Sequence, residues 1–432
     1  MFFHLYNWLK ATYNYSGLSM LQNISFRVVA AIILSIILSA IIGKYIIAKL
    51  QRLQVGESVR ELGLAGEQQK GGTPTMGGII IIISILIPTL LFANLTNVYV
   101  LLLLLTTLWC GAIGFIDDYL KIRSKRLAKL QGVAYKKADA DGLAGRFKIV
   151  GQVGLGIIIG SVLYFNNNVT VFREYHGTKL TNNNTKVRQV SDSIYTKLIN
   201  GKVYSHVKVN EPVTTIPFIK NHEFNYAKLL PEGLRPFTWV LYIIIVTFII
   251  TAVSNGANIT DGLDGLATGV SAIIGGGLGI FAYVSGNILF AEYLNVLYIP
   301  NLGELSIFIG AFVGACIGFL WYNSYPAQVF MGDTGSLALG GIIASIAIIV
   351  RKEWLIPIFC GVFFVELLSV IIQTSYFKYT KKKTGVGQRV FLMSPLHHHY
   401  QKLGFHESKI AIRFWIVTLG LVILSIVTLK MR

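Results

Sequence analysis

Long apolar runs separated by shorter polar segments are the main feature of this 432-residue sequence. A helix needs about 20 mostly apolar residues to cross the hydrocarbon core of a bilayer. We predict ten such helices, at residues 26–48, 77–94, 98–116, 148–165, 237–254, 265–284, 305–322, 336–350, 354–376 and 409–430. The fold class expected from this pattern is an all-α polytopic membrane protein, a single integral membrane domain over residues 1–432.

One long polar stretch interrupts this pattern. Residues 166–236 contain an Asn-rich run and an alternation of apolar and polar side chains at Lys202–Val209. Alternation with a period of two indicates a β-strand with one buried face. We therefore expect an insert between the fourth and fifth predicted helices, with a small β-hairpin inside it.

Composition indicates that lipid is the solvent of this chain. Hydrophobic residues make up 53% of the sequence and charged residues only 13%, which is too few charges to cover a soluble protein of this apolarity. The net charge is +18. In membrane proteins Lys and Arg collect in cytoplasmic loops and at lipid headgroups, so we expect membrane lipids as partners and no nucleic acid.

The order of the helices places the chemically rich loops on one face. Alternating spans bring together the loops after every odd-numbered helix, at residues 49–76, 117–147, 255–264, 323–335 and 377–408. The second of these loops carries eight Lys or Arg residues and the last carries six. Because positively charged loops stay in the cytoplasm, we expect an active site on the cytoplasmic face, with both termini and the insert in the periplasm.

An adjacent pair of acids, Asp117 and Asp118, stands where the third predicted helix ends. Two carboxylates at a membrane boundary are unfavourable unless a cation or a proton satisfies them. Lys121, Arg123 and Lys125 follow at once. The pair is compatible with a catalytic or cation-binding site, and also with a solvated helix end.

A second polar group recurs every third residue, at Asn255, Asn258, Asp261 and Asp264. On a helix, or at the start of one, this spacing puts the four side chains on one side. Hard oxygen donors beside flexible glycines suit Mg²⁺. The alternative interpretation is a loop that only reverses the chain.

Two further candidates lie towards the C-terminus. Asp333 is the only acid in a long apolar region and stands just before the eighth predicted helix, so it is a candidate ligand, a helix N-cap, or both. Three adjacent histidines occupy positions 397–399. No Cys or second His pair completes a zinc site, so we prefer phosphate contact for the histidines, with a structural loop cluster as the alternative.

Two weaker signals complete the set. The segment Lys70–Gly78 combines glycines, hydroxyls and one cation, and it is suited to an anion, although it lacks the Gly-Lys-Ser/Thr ending of a nucleotide-binding P-loop. Glu366 stands inside the ninth predicted helix. An ionisable residue at that depth suggests function, and the alternative is an acid paired with backbone or Lys.

Together these groups favour phosphoryl transfer at the edge of the bilayer. Carboxylates that hold Mg²⁺ and cations that hold phosphate are the groups that this chemistry requires, because its barrier lies mainly in alignment and charge neutralisation. A site at the membrane boundary suggests one aqueous and one lipid substrate.

Five motifs in order resemble the polyprenyl-phosphate N-acetylhexosamine-1-phosphate transferases. They are Gly-Thr-Pro-Thr-Met-Gly-Gly, the Asp117-Asp118 pair, Asn-x-x-Asn-x-Thr-Asp-Gly-Leu-Asp-Gly, Phe-Met-Gly-Asp-x-Gly-Ser and Pro-Leu-His-His-His. The first and last resemble the pentapeptide branch of that family. The resemblance implies an Mg²⁺-dependent enzyme of the bacterial inner membrane that converts UDP-N-acetylmuramoyl-pentapeptide and undecaprenyl phosphate to lipid I and UMP, the first membrane step of peptidoglycan synthesis. It also implies a homodimer or contacts with other cell-wall synthesis proteins.

The resemblance also assigns roles to matching residues. Asp333 is the implied principal Mg²⁺ ligand, and Asp117, which Asp118 supports, either deprotonates the lipid phosphate or attacks the donor. His397 and His398 are implied to contact the donor or its phosphate. The implied lining of the uridine diphosphate pocket is Lys70, Thr75, Gly262, Leu263, Asp264, Asn323 and Phe330, and the implied phosphate-holding lysines are Lys121, Lys125 and Lys148.

Two departures and three alternatives accompany this interpretation. The loop after Lys125 is about twenty residues longer than the family pattern, and the insert at 166–236 is absent from compact members. A related enzyme that uses UDP-N-acetylglucosamine is the first alternative. A transporter is disfavoured because most acids lie in loops on one face rather than at mid-membrane. A catalytically inactive scaffold is disfavoured because the acids are intact.

Overall fold

The computed structural model describes residues 1–13, 19–53, 72–130, 145–176, 195–199, 202–216, 223–294 and 296–428. The helices in these ranges are α1 Phe2–Tyr13, α2 Ile24–Arg52, α3 Gly78–Phe92, α4 Val98–Leu130, α5 Gly145–Phe165, α6 Thr238–Thr260, α7 Leu266–Ser285, α8 Ile288–Leu294, α9 Leu305–Asn323, α10 Gly332–Ile349, α11 Ile356–Phe359, α12 Gly361–Thr384, α13 Leu396–Lys402 and α14 Glu407–Val427.

All ten predicted spans are helical. Within the described ranges, nine helices have the length and apolarity needed to cross a membrane, and the 15-residue α3 is a shorter apolar helix. Helices are the expected form because lipid offers no partner to an open backbone N–H or C=O. The ninth predicted span is the least regular, because it is divided into α11 and α12 at Cys360.

Helix α2 shows how the bundle is packed. Its buried positions recur about every fourth residue and are mostly small, namely Arg27, Ala31, Ser35, Ser39, Gly43, Ile47 and Leu50. This stripe packs against α9 and α3, and the small side chains let the helices approach closely. The opposite side of α2 exposes Ile33, Ile37 and Ile41, as expected of a surface that faces lipid.

Helix α10 forms the centre of the molecule. In the 18-residue apolar stretch of α10, 89% of the residues are buried, whereas the corresponding share is 28% in α2 and in α14. It packs on α4, α6, α3 and α7. Most of the surface of α10 is therefore covered by other helices, and Asp333 lies in its first turn.

The insert contains more strand than predicted. Strands β1 Val171–His176, β2 Tyr195–Ile199 and β3 Lys202–Val209 form an antiparallel sheet in the order β1-β3-β2, and β4 Val213–Thr215 pairs with β5 Glu223–Asn225. The predicted hairpin is thus confirmed as β2–β3. Three hydrogen bonds between described residues join the insert to the turn after α10. The Thr215 N–H and the Thr214 hydroxyl donate to the carbonyl of Arg351, and the Tyr226 hydroxyl donates to the buried carboxylate of Glu353 at 2.8 Å.

Three helix ends differ from the prediction in ways that matter for the site. Helix α6 runs to Thr260, so Asn255 and Asn258 lie on a helix rather than in a loop. Helix α4 runs to Leu130, so Asp117 and Asp118 lie on a helix rather than in a loop. The extension is supported by an ion pair between Asp117 and Lys121, one turn apart. Helix α10 begins at Gly332, so Asp333 lies in its first turn instead of before it.

Candidate active site

Three aspartates from two helices meet at one end of the bundle. Asp117 and Asp118 come from α4 and Asp333 from α10, and carboxylate oxygens of all three lie within 4.8 Å of one another. Asp117 and Asp118 are buried, with 0% and 6% of their surface exposed. We call these three residues the acid group. No second group of three or more His, Cys, Asp or Glu residues that could share an ion occurs in the described part of the chain.

Two lysines bridge the acid group. Lys121 Nζ lies 2.6 Å from Asp117 Oδ2 and 2.8 Å from Asp333 Oδ2. Lys148, at the start of α5, lies 2.9 Å and 2.6 Å from the same two oxygens. Opposite charges at this distance stabilise the ionised forms of both partners. Two of the three lysines predicted to hold phosphate, Lys121 and Lys148, therefore lie at the acid group, and Lys148 does so although the chain before it is long.

A carboxamide fixes the other oxygen of Asp333. Asn258 Nδ2 donates to Asp333 Oδ1 at 2.7 Å and to the Ser336 hydroxyl at 2.8 Å. Since the two lysines contact Oδ2, both oxygens of Asp333 are held. Asn258 lies in the last turns of α6, so this carboxylate of α10 is oriented by residues from α4, α5 and α6.

Asp118 caps the first turn of α10. Its Oδ1 accepts from the Asp333 N–H at 3.1 Å, and its Oδ2 accepts from the Thr334 N–H and hydroxyl. A carboxylate is stabilised here because the first amides of a helix lack internal acceptors. Gly332 has a φ of 72°, and a Cβ at this position would lie 2.7 Å from Asp118 Oδ2, so the backbone conformation and the close approach both require glycine.

The loop between α6 and α7 forms a second cluster. Asp264 Oδ2 accepts from the Ala327 N–H at 3.0 Å, and the Asp264 N–H donates to Glu407 Oε1 at 2.7 Å. Asn323 Oδ1 accepts from the Gly265 N–H, while its Nδ2 donates to the Val329 carbonyl. We call residues 261–265 the loop segment. It is therefore joined to the chain between α9 and α10 and to the start of α14.

Other predicted pocket residues adjoin this cluster. Gly262 is exposed and Leu263 is buried. The backbone of Phe330 pairs on both sides with the chain that carries Thr75, accepting from the Gly77 N–H and donating to the Pro74 carbonyl, each at 2.8 Å. Phe330 and Thr75 are both half-buried. The five predicted loops thus contribute to one end of the molecule.

The three histidines point to different partners. His397 is fully buried, and the half-buried His398 contacts Gln401 through Nδ1 at 2.7 Å. His399 Nδ1 accepts from the Leu392 N–H. Glu366 is fully buried on α12 and accepts from the His397 N–H at 3.2 Å. The carboxylate predicted to bind substrate is therefore buried beside His397.

Some predicted residues lie elsewhere. Asn255 donates to Gln152 on α5 at 2.9 Å and does not join Asn258 at the acid group. The reason is that three residues are less than one helical turn of about 3.6 residues, so the two side chains leave α6 in different directions. Asp261 follows α6 and is half-buried. Lys70 lies outside the described residues, and the side chain of Lys125 is outside them too.

The donor atoms of the acid group fit Mg²⁺. Mg²⁺ prefers hard oxygen ligands, commonly one or two carboxylates together with substrate phosphate. The three carboxylates outnumber the two bridging ammonium groups by one charge. In contrast, the three histidines do not form a group that could share an ion among the described residues, which disfavours a zinc site there.

Comparison with known proteins decides the family. The family model described as Glycosyl transferase family 4 matches residues 204–351. The chain is 56% identical to the phospho-N-acetylmuramoyl-pentapeptide-transferase of Flavobacterium psychrophilum, 53% identical to that of Amoebophilus asiaticus and 51% identical to that of Parabacteroides distasonis, with 100% of each chain covered.

The chain belongs to the phospho-N-acetylmuramoyl-pentapeptide-transferase family. This confirms the prediction of a phospho-sugar transferase. Neither the alternative enzyme that uses UDP-N-acetylglucosamine nor a transporter is favoured. The full coverage of these relatives also means that the insert and the longer loop before Lys148 lie within the matched length.

Several residues of this phospho-N-acetylmuramoyl-pentapeptide-transferase family member were not found by sequence reasoning. The Thr334 hydroxyl donates to Asp118 of the acid group, and the Ser336 hydroxyl accepts from Asn258. Gln152 accepts from Asn255 and so orients it. Glu407 holds the Asp264 backbone. Two of them had a sequence signal: Ser336 ends the Phe-Met-Gly-Asp-x-Gly-Ser motif, and Glu407 is an acid in the first turn of an apolar helix, which is a common terminus marker.

Proposed function

We propose that the protein transfers phospho-N-acetylmuramoyl-pentapeptide from a UDP-linked donor to a polyprenyl phosphate, which we expect to be undecaprenyl phosphate. An oxygen of the lipid phosphate forms a bond to the sugar-bearing phosphorus of the donor, the bond from that phosphorus to the UMP oxygen breaks, and UMP leaves. The product is lipid I. The observation that carries the proposal is the lysine-bridged acid group in a member of this family.

Lys121 and Lys148 are suited to holding substrate phosphates. Their ammonium groups bridge Asp117 and Asp333, and their side chains are 38% and 17% exposed. A phosphate entering this end of the bundle therefore meets two cations that are already oriented by carboxylates. The half-buried His398 and the more deeply buried His397 are proposed to contribute on the donor side.

Asp117 is the residue proposed to act on the reacting oxygen or phosphorus. Its carboxylate is buried and its Oδ2 faces both lysines. Two routes use this position. In one route, Asp117 accepts the proton of the lipid phosphate, which then attacks the donor. In the other, Asp117 attacks the donor first and the lipid phosphate displaces it.

Asp333 is the proposed principal ligand of Mg²⁺, with Asp117 and Asp118 in supporting positions. When bound, Mg²⁺ would neutralise charge on the donor diphosphate. Asn258 keeps the Asp333 carboxylate in one orientation. Asp118 does the same for the α10 backbone that carries it.

The loop segment and its neighbours are proposed to bind the uridine diphosphate part of the donor. Gly262 is exposed there, while Leu263 and Asp264 are buried. Thr75 and Phe330 lie on paired segments beside it. Lys70, Lys125, Asn255 and Asp261 stay predicted donor contacts. The hydrogen bonds that Asn323 and Glu407 accept from the loop backbone hold this surface in place before the donor binds.

A donor-exchange assay tests the function. Purified protein, undecaprenyl phosphate and Mg²⁺ are mixed with either UDP-N-acetylmuramoyl-pentapeptide or UDP-N-acetylglucosamine, and UMP release and the lipid product are measured. We expect product only from the first donor, loss of product with EDTA, and recovery with added Mg²⁺. Turnover of UDP-N-acetylglucosamine alone would contradict the proposal.

We also propose that the protein lies in the bacterial inner membrane with the acid group facing the cytoplasm. The three native cysteines are buried, so single exposed cysteines report accessibility. Lys383→Cys places a thiol in the last turn of α12, on the side proposed to be cytoplasmic, and Glu232→Cys places one in the insert before α6, on the side proposed to be periplasmic. An impermeant maleimide should label only Glu232→Cys in intact spheroplasts. The reverse labelling would contradict the orientation.

A further inference from the structure

Glu366 is a buried acid that the proposed reaction does not use. It is 0% exposed, although its neighbour Val365 on α12 is 48% exposed. A carboxylate in such a position is unfavourable unless it is hydrogen-bonded. Glu366 Oε1 accepts from the His397 N–H at 3.2 Å, and its Oε2 lies 3.1 Å from His397 Nδ1. Both oxygens thus face one histidine.

The carboxylate determines which nitrogen of His397 carries a proton. A carboxylate can only accept hydrogen bonds, so the nearby Nδ1 is favoured as the protonated nitrogen. Nε2 then presents a lone pair. Among the described residues neither buried ring nitrogen of His397 forms a hydrogen bond, although Nδ1 lies 3.1 Å from Glu366 Oε2, within ion-pair distance. The position of Nε2 is therefore set by the contact of Glu366 with Nδ1, on the opposite side of the ring, and by the packing of the ring.

The Nε2 edge of His397 lies against the loop segment. A Cβ on Gly262 would overlap this edge of the ring. The same loop segment is held at Asp264 from two other directions, by Glu407 and by the Ala327 N–H. His397 supplies a further support, next to Gly262, the exposed residue of the loop segment.

We propose that Glu366 is a positioning residue: through His397 it holds Gly262 and the loop segment in the form that binds the nucleotide of the donor. This inference rests on the proposed function for the identity of the donor. Glu366 contacts no substrate in this scheme. Its effect reaches the donor through one histidine ring and one glycine.

The test compares the two partners singly and together. The variants are Glu366→Gln, His397→Asn and the double variant, with Val365→Ala as the matched control on the exposed side of α12. Glutamine keeps the size of Glu366 but removes its charge and has one acceptor oxygen, where the carboxylate turns two oxygens towards His397. Asparagine keeps an N–H near the position of Nδ1 but removes the ring edge that contacts Gly262.

We expect a selective change in donor affinity. Loss of a hydrogen bond to a charged group corresponds to about tenfold in an equilibrium constant, so Glu366→Gln should raise the KM for the UDP-linked donor about tenfold. The kcat and the KM for the polyprenyl phosphate should stay within about twofold. The double variant should not exceed the larger single effect, because both changes act through the same contact. Val365→Ala should match the wild type.

A merely structural role would give another pattern. Misfolding lowers the active fraction and therefore the apparent kcat, but it leaves the donor KM of the remaining enzyme unchanged. KM can be measured in membranes, so a variant that purifies poorly is still informative. An unchanged donor KM, or multiplicative effects in the double variant, would overturn the inference. Absence of transfer by the wild-type protein would instead refute the proposed function.

Discussion

Asp118 and Thr334 are joined by two hydrogen bonds, both to Asp118 Oδ2, from the Thr334 N–H at 2.9 Å and from its hydroxyl at 2.6 Å. They connect α4 to the first turn of α10. The two adjacent acids of α4 consequently have different surroundings. Asp117 faces the two lysines, whereas Asp118 faces the end of a helix.

We therefore expect the two acids to differ in their contribution to stability. Asp118→Asn removes the negative charge at a buried helix N-terminus, an interaction of up to about 2 kcal/mol, and should lower both the Tm in detergent and the turnover. Asp117→Asn should abolish turnover with a smaller change in Tm. Thermal melts and UMP release check both. An equal loss of Tm in the two variants would contradict the assignment of the cap to Asp118.

Asp333→Asn should lower transfer at least about hundredfold, an effect typical of removing one key electrostatic group. The protein should still insert, because Asn258 and the cap of Asp118 remain. The exposed Glu232→Gln, at the other end of the bundle, is the control and should retain full activity. UMP release at several Mg²⁺ concentrations is the measurement. Near-normal turnover by Asp333→Asn would refute the role of Asp333 as principal ligand.

Lys148→Met should have opposite effects on Mg²⁺ affinity and on rate. Its ammonium lies between Asp117 and Asp333, where it repels a second cation. The half-saturating Mg²⁺ concentration should fall when the charge is removed, while kcat should fall because a phosphate contact is lost. An Mg²⁺ titration of UMP release distinguishes the two. A higher Mg²⁺ requirement in the variant would show that Lys148 does not compete for this position.

Gly262→Ala should raise the donor KM. The new Cβ would occupy space that the His397 ring holds, so either the ring or the loop segment must move. Removing the ring should relieve the clash, and Gly262→Ala with His397→Ala should bind donor better than Gly262→Ala alone. Donor titrations of the three variants decide the matter. A double variant worse than both single variants would mean that the contact is not the cause.

The buried Lys352 makes the stability of the protein depend on pH. It lies in the turn after α10, at the end of that helix opposite to Asp333. Burial lowers the pKa of Lys352 to about 8, below its ordinary value near 10.4. The folded protein therefore binds this proton more weakly than the unfolded chain does, and the resulting destabilisation is complete below pH of about 8 and fades as the pH rises towards about 10.

Lys352→Met should accordingly stabilise the protein by up to about 3 kcal/mol at pH 7, with a smaller gain at pH 10. Melting curves in detergent at the two pH values provide the measurement. The exposed Lys228→Met serves as the control for a general change in net charge. A gain in Tm that does not depend on pH would contradict the effect of burial.

Much of the fold was predictable from the hydropathy of the chain. Each predicted span is a helix because a backbone in lipid must satisfy its own hydrogen bonds. The ends were less predictable. The chain after residue 116 is polar and basic, but the ion pair from Asp117 to Lys121 and the helix-forming residues there continue α4. The hydropathy of the sequence predicts which residues lie in lipid, but it does not predict the residue at which a helix ends.

The candidate site was predictable in its acids and less so in their partners. Asp117 and Asp333 stood out because acids are rare next to apolar runs. The division of roles between Asp118 and Asp117 depends on the direction in which each side chain leaves α4, and a pair of adjacent letters does not contain that information. Likewise, the pairing of Glu366 with His397 depends on a fold-back between α12 and α13 that has no periodic signature.

The hydrogen bond from Tyr226 to Glu353 joins residues that are 127 positions apart in the chain. During synthesis the insert leaves the ribosome well before Glu353 does, so Tyr226 waits without this acceptor until the turn after α10 is made. Thr215 waits likewise for the carbonyl of Arg351. The contacts between the insert and this turn therefore cannot be completed until the central helix α10 has been made.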